Sequence, residues 1–203
     1  MLAAFTASLL LITVSELGDK TFFIAAILAM RHRRRWVFAG AVGALALMTL
    51  LSVLMGQVAT LLPDAIVKWA EISLFIIFGV RLLYQASQMR ETGSEEKDAA
   101  EAVQKAEQRK PKETPLAIMA EAFGLTFVAE WGDRTQIATI ALAAAHPPGG
   151  VVMGAVLGHA ICAAIATNCG RWLCGKVSER TLTALGGGLF LLFGSLALFM
   201  PQA

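Results

Sequence analysis

Glu16-Leu17-Gly18-Asp19-Lys20-Thr21 returns later in the chain as Glu130-Trp131-Gly132-Asp133-Arg134-Thr135. Both copies lie near the middle of long apolar stretches, where ionisable side chains are least expected. A charge at the centre of a bilayer costs about 2.5–3.5 kcal/mol on insertion scales, so such residues face a protein interior or a watery cavity and mark function. The similarity extends beyond the two hexapeptides. The shift that lays residue 16 on residue 130, an offset of 114, also lays Gly40-Ala41-Val42 on Gly154-Ala155-Val156 and Gly56 on Gly170. One residue of slip then brings Leu74-Phe75-Ile76-Ile77-Phe78-Gly79 onto Leu189-Phe190-Leu191-Leu192-Phe193-Gly194.

The surrounding composition is that of a membrane protein. Of the residues, 57% are hydrophobic and 16% charged, the mean hydropathy is +0.65, and the apolar residues come in blocks. A hydrocarbon core about 30 Å thick needs roughly 20 apolar residues per helix. Stretches of that length predict helices over 3–30, 36–62, 66–88, 115–145, 150–174 and 178–200. The breaks between them hold charge, proline or glycine, as in Arg31-His32-Arg33-Arg34-Arg35 and His146-Pro147-Pro148-Gly149-Gly150. The expected fold class is thus an all-α membrane protein of six transmembrane helices, with one three-helix repeat in residues 1–88, a charged linker in 89–114 and a second repeat in 115–203.

Three spans per half is an odd number, so the second half enters the membrane from the opposite face and the repeats are inverted. Transporters built this way place the substrate near the midplane, between the halves, and gain two related conformations for alternating access. Lysine and arginine gather after the first, third and fifth helices, whereas the other side has only Lys68. Positive loops stay in the cytoplasm, which puts both termini outside and the linker inside. The net charge of +2 is a topology signal and gives no support to nucleic-acid binding. The first apolar block, holding Glu16, Asp19 and Lys20, does not read as a cleaved signal peptide. The linker's many charges read as solvated surface, and Cys162, Cys169 and Cys174 as packing residues.

The two motifs supply the chemistry. Glu and Asp three residues apart share one face of a continuous helix, so four carboxylates, Glu16, Asp19, Glu130 and Asp133, can converge from the two halves. Oxygen-rich sites suit hard divalent ions such as magnesium, calcium and manganese. Gly18 and Gly132 permit close approach or a local break that frees carbonyls. Thr21, Thr135 and Gln136 are weaker ligand candidates, and Lys20 and Arg134 can brace the carboxylates at the i, i+4 spacing from Glu16 and Glu130. Each motif sums to a charge of −1, so the pair neutralises one divalent cation. When that ion leaves, burial and mutual repulsion favour proton uptake, which is a route to proton antiport.

The duplicated Glu-x-Gly-Asp-(Lys/Arg)-Thr pattern resembles the signature of the small bacterial manganese exporters of the MneA type, within the family of small calcium/manganese–proton exchangers. That resemblance covers essentially the whole chain and implies manganese efflux, with calcium as a second substrate, from a bacterial inner membrane. It makes the metal a cargo rather than a resident cofactor, and it gives the cation to Glu16, Asp19, Glu130 and Asp133. Two rival readings differ in class. An intramembrane aspartyl protease also uses two membrane aspartates, but it needs no partner glutamates. An exporter of organic cations would want an aromatic cage. His159 falls within the fifth span, where its repeat counterpart is Leu45, so it reads as a packing histidine; Glu121 lies about 180° around the helix from Glu130 and does not join the carboxylates.

Overall fold

The computed structural model describes residues 1–89, 94–108, 114–173 and 178–199, within which the side chains of Arg171 and Leu173 are not described. The expected linker charges Arg90, Arg109, Lys110 and Lys112, together with Cys174 and Lys176, lie outside the described residues. Nine helices run through the rest: α1 (Leu2–Glu16), α2 (Lys20–Arg31), α3 (Arg34–Ala59), α4 (Asp64–Gln88), α5 (Ser94–Glu107), α6 (Pro115–Glu130), α7 (Arg134–Ala145), α8 (Pro148–Leu173) and α9 (Glu179–Phe199).

The helices expected over 3–30 and 115–145 are each two helices, broken inside the motif. Gly18 and Gly132 adopt φ of 76° and 82°, a left-handed conformation that costs other residues roughly 1–2 kcal/mol. Glycine in that conformation ends helices, and aspartate after it starts new ones. The Asp19 carboxylate accepts the Lys20 backbone N–H at 2.7 Å, and that of Asp133 accepts the Thr135 N–H at 3.4 Å. The Glu and Asp of each motif therefore do not stack on one helical face. They stand on either side of a break, and α1 and α2 meet there at 64°.

Among the described residues, α3, α8 and α9 are long and apolar enough to cross a membrane, and the bent α1–α2 pair makes a fourth span if counted as one. The six-span expectation exceeds that number for a physical reason. Helix α4 carries Lys68, Glu71 and Arg81 among its apolar residues, and α6 and α7 are each short and hold Glu121, Glu130 and Arg134. Exposed apolar side chains on α3, α4, α8 and α9, among them Leu54, Ile77, Met153 and Leu192, form the kind of surface that a bilayer covers.

Helix α2 is buried on all sides, from Phe22 to Ala29, and packs against α3, α5, α6 and α8. The packing of α1 on α8 mirrors that of α6 on α3. Gly154 lies against Phe5 and Ser8 of α1, and Gly40 against Met119 and Ala122 of α6, so closely that a Cβ at either glycine would collide with backbone carbonyl oxygen. Phe5 and Met119 are themselves 114 residues apart. The linker departs from the expectation of solvated surface: Ala99 and Val103 of α5, four residues apart, are fully buried against the α2 cluster. Of the cysteines, Cys162 is buried, as a packing residue should be, but Cys169 is exposed.

Candidate cation site

Glu16 and Glu130 are the last residues of α1 and α6, and Asp19 and Asp133 cap the starts of α2 and α7. Both breaks meet in the middle of the molecule. Carboxylate oxygens of Glu16, Glu130 and Asp133 lie within 4.8 Å of one another, with the two glutamates only 2% and 3% exposed. At that separation, and with an effective dielectric near 20, each pair of full charges repels by about 3 kcal/mol. Two buried glutamates beside a half-buried aspartate therefore require positive charge among them, whether cation or protons. The carbonyl ends of α1 and α6 point the same way electrostatically, since a helix C-terminus carries partial negative charge.

The flanking residues hold these groups in place. The Thr21 hydroxyl donates to Glu16 Oε2 at 3.0 Å, and its counterpart Thr135 donates to Glu130 Oε2 at 3.2 Å and Asp133 Oδ2 at 3.3 Å. Gln136 Oε1 accepts the Gly132 N–H at 2.7 Å, which ties down the break. Glu16 Oε1 is buried with no hydrogen-bond partner, an open coordination position of the kind a metal ion fills.

Two expectations change here. Asp19 stands outside the carboxylate cluster because the Arg134 guanidinium donates to its Oδ2 at 3.0 Å. Arg134 thus reaches across to the other motif instead of bracing Glu130 four residues earlier, and Lys20 occupies the first position of α2 outside this pair. His159, read as a packing residue, places Nδ1 3.9 Å from Glu16 Oε1 and is 5% exposed. The repeat symmetry that set it aside does not require a site's supporting residues to be symmetric. Glu121 is buried but separate from the cluster, as expected.

A cavity of about 330 Å³ lined by Phe78, Arg81, Gln85, Glu95, Asp133 and Arg134 leads to the site from the face that carries α5. Glu95 was legible in sequence only as one charge of the linker. Its neighbourhood is built: the Glu179 carboxylate of α9 accepts backbone N–H groups of Ser94, Glu95 and Glu96 at 3.1, 3.5 and 3.2 Å, capping α5. At the other end, Glu107 pairs with Arg31 and His32 beyond α2. Burial pushes the Glu95 carboxyl up to about 6; the charge of Asp19 adds to this, Arg134 opposes it, and Glu179 and Asp98 add further repulsion. On the opposite face a cavity of about 220 Å³, lined by Lys68, Glu71, Phe75, Leu142 and His146, contains no motif residue.

An all-helical protein with apolar outer faces, two broken helices and a buried carboxylate cluster at the breaks belongs among the membrane ion transporters. The particular family follows from comparison: residues 4–90 and 118–202 match the model of the divalent cation/proton antiporter GDT1, and the chain belongs to that family. It is 58% identical over 196 residues to a GDT1-like protein of Synechocystis, covering 95% of each chain. GDT1-like protein 3 of Oryza sativa is 44% identical over 207 residues, 98% of this chain and 74% of the relative. The chloroplastic PAM71-homolog of Arabidopsis thaliana is 40% identical over 213 residues, 97% of this chain and 59% of the relative. No solved structure matches the chain.

The family is one of cation transporters, not enzymes, and its metal is transported substrate. The protease reading has no support in it, and the organic-cation reading gives way to a divalent cation.

Proposed function

We propose that this protein exports Mn²⁺ in exchange for protons, by alternating access at a site formed by Glu16, Glu130 and Asp133, with Asp19 held in reserve by Arg134. The observation that carries this reading is the meeting of carboxylates from both motif copies in a buried space, with Thr21 and Thr135 donating to them. Metal and protons compete for the same oxygens. Arrival of Mn²⁺ expels protons, and protons from the acidic side expel Mn²⁺. Manganese, rather than calcium, rests on the motif's resemblance to the bacterial manganese exporters.

The architecture in this reading is six spans in two inverted repeats, 1–88 and 115–203, joined by the linker 89–114. The mirrored contacts of Gly40 and Gly154 support it. The bacterial inner membrane is the location, with both termini outside and α5 on the cytoplasmic face, an orientation supported by the arginines between α2 and α3.

Inside-out vesicles loaded at acid pH provide the test. Uptake of Mn²⁺ should be saturable, should alkalinise the lumen, and should resist competition from Ca²⁺ at equal concentration. Uptake indifferent to the proton gradient would overturn the antiport, and equal displacement by Ca²⁺ would overturn the metal assignment.

A further inference from the structure

Each of the short half-helices that follow a motif ends in a histidine. His32 caps the C-terminus of α2 and His146 that of α7, and each donates its backbone N–H to the residue four before it, Leu28 or Leu142, at 2.8 Å. The two histidines are 114 residues apart, as the two motifs are. The likeness goes further than backbone. His32 Nε2 lies 3.3 Å from Glu107 Oε1 of α5, and His146 Nε2 lies 3.3 Å from Glu71 Oε1 of α4. The histidine and glutamate side chains are 16% and 23% exposed in the first pair, and 38% and 4% exposed in the second. The glutamates come from unrelated positions, one on the linker helix α5 and one on the long helix α4.

The geometry points to His32 and His146 as positioning residues for the exchange, each clasping the end of its half-helix to a neighbour when protonated. Helices α2 and α7 have 12 residues each, about 18 Å at 1.5 Å per residue. One end of each rod bears a motif aspartate and the other bears the clasp, so releasing the clasp frees a stiff lever whose far end is the cation site. Histidine is the side chain that ordinarily changes charge between pH 5 and 8. A proton on the imidazole turns a weak polar contact with a carboxylate into a charge-assisted one.

The charged groups around each clasp are few. Lys68 and Glu71 of α4 line the His146 cavity; α1 and α9 contribute only uncharged side chains there, and Met1, with the α-amino group, abuts Gly149 and Gly150. Around His32 stand Glu107 from α5, Arg31, which shares that carboxylate, and Arg33, Arg34 and Arg35 at the start of α3. Arg34 is turned away to the Asn168 carbonyl of α8 and Arg35 lies over Trp36.

This inference rests on the antiport reading and adds to it a sidedness: each histidine answers to the pH of its own compartment. The test measures initial Mn²⁺ uptake in inside-out vesicles while bath and lumenal pH are varied separately between 5.5 and 7.5. Gradient-driven uptake by the wild type checks the antiport itself before any variant is compared. The ratio of His146→Gln to wild-type rate should change with the pH of one compartment only, and that of His32→Gln with the other only. Glu71→Gln should copy the first variant and Glu107→Gln the second, all with an unchanged KM for Mn²⁺, because neither pair touches the metal. His146→Lys, whose charge is fixed, should transport more slowly than wild type at every pH and lose the response to its compartment. Ratios independent of pH in both compartments, both histidines answering to the same compartment, or a wild-type response in His146→Lys would overturn the assignment.

Discussion

At the scale of single residues, the site depends on two glycines and one ion pair. Gly132 has open space around it but a φ of 82°, so its requirement is conformational and not steric. Replacement by alanine should destabilise the protein by about 1–2 kcal/mol, and asparagine, which visits the left-handed region more readily, should recover part of that. Thermal unfolding in detergent micelles checks both variants; equal melting temperatures for wild type and Gly132→Ala would refute the strain. The two carboxylate pairs and both threonines were legible in the sequence because a duplicated motif names its own equivalents. The Asp19–Arg134 pair was not, since spacing along the chain favours Glu130 as the partner of Arg134 and only the packing of one half on the other brings Asp19 nearer. His159 escaped for a related reason: it has no polar counterpart in the first half, and nothing in its own helix says that Glu16 is opposite.

At the scale of elements, the notable feature is α5, which lies along the mouth of the larger cavity with Glu179 at its start and Arg31 and His32 at its end. Its Glu95 titrates near 6 in this docked position, above the ordinary glutamate value of 4.5. A raised carboxyl value means that the docked state holds its proton more tightly than the released one, so docking gains as pH falls from 6 toward 4.5 and loses that gain above 6. Amide exchange across residues 94–107, corrected for intrinsic rates, should therefore be slower at pH 5 than at pH 7; Glu95→Gln should reduce the difference at the Glu95 end of α5, and Glu95→Gln combined with His32→Gln should remove it. A pH difference as large in Glu95→Gln as in wild type would assign it to another group. The burial of α5 was faintly visible beforehand, in Ala99 and Val103 at helical spacing, but nine charges between 95 and 110 outweighed two small apolar residues. The helix breaks were half legible. Hydropathy runs unbroken through Leu17 and Trp131, and only the Gly-Asp pairs record that one helix ends and another begins.

At the scale of the whole molecule, α1 packs on α8 as α6 packs on α3, with Gly154 and Gly40 at the crossings, and the cavity that touches Asp133 and Arg134 lies on the side of α5. Sequence symmetry made this arrangement expected, because residues shifted by 114 carry the same small side chains at the crossing points. It did not tell which face is open, which depends on how the halves are tilted and not on which residues they contain. The proposed exchange requires that both motifs build one cation site. The most direct measurement is Mn²⁺ uptake into inside-out vesicles under an imposed proton gradient, comparing wild type with Glu16→Gln, Glu130→Gln and Asp133→Asn at equal protein levels. A single shared site predicts that each neutral variant loses most of the uptake, by about tenfold or more for one lost ligand, on the scale by which even outer-shell partners affect metal affinity. Wild-type uptake in any of the three would mean that the motifs do not share one site, and that the carboxylates meet only to hold the halves together.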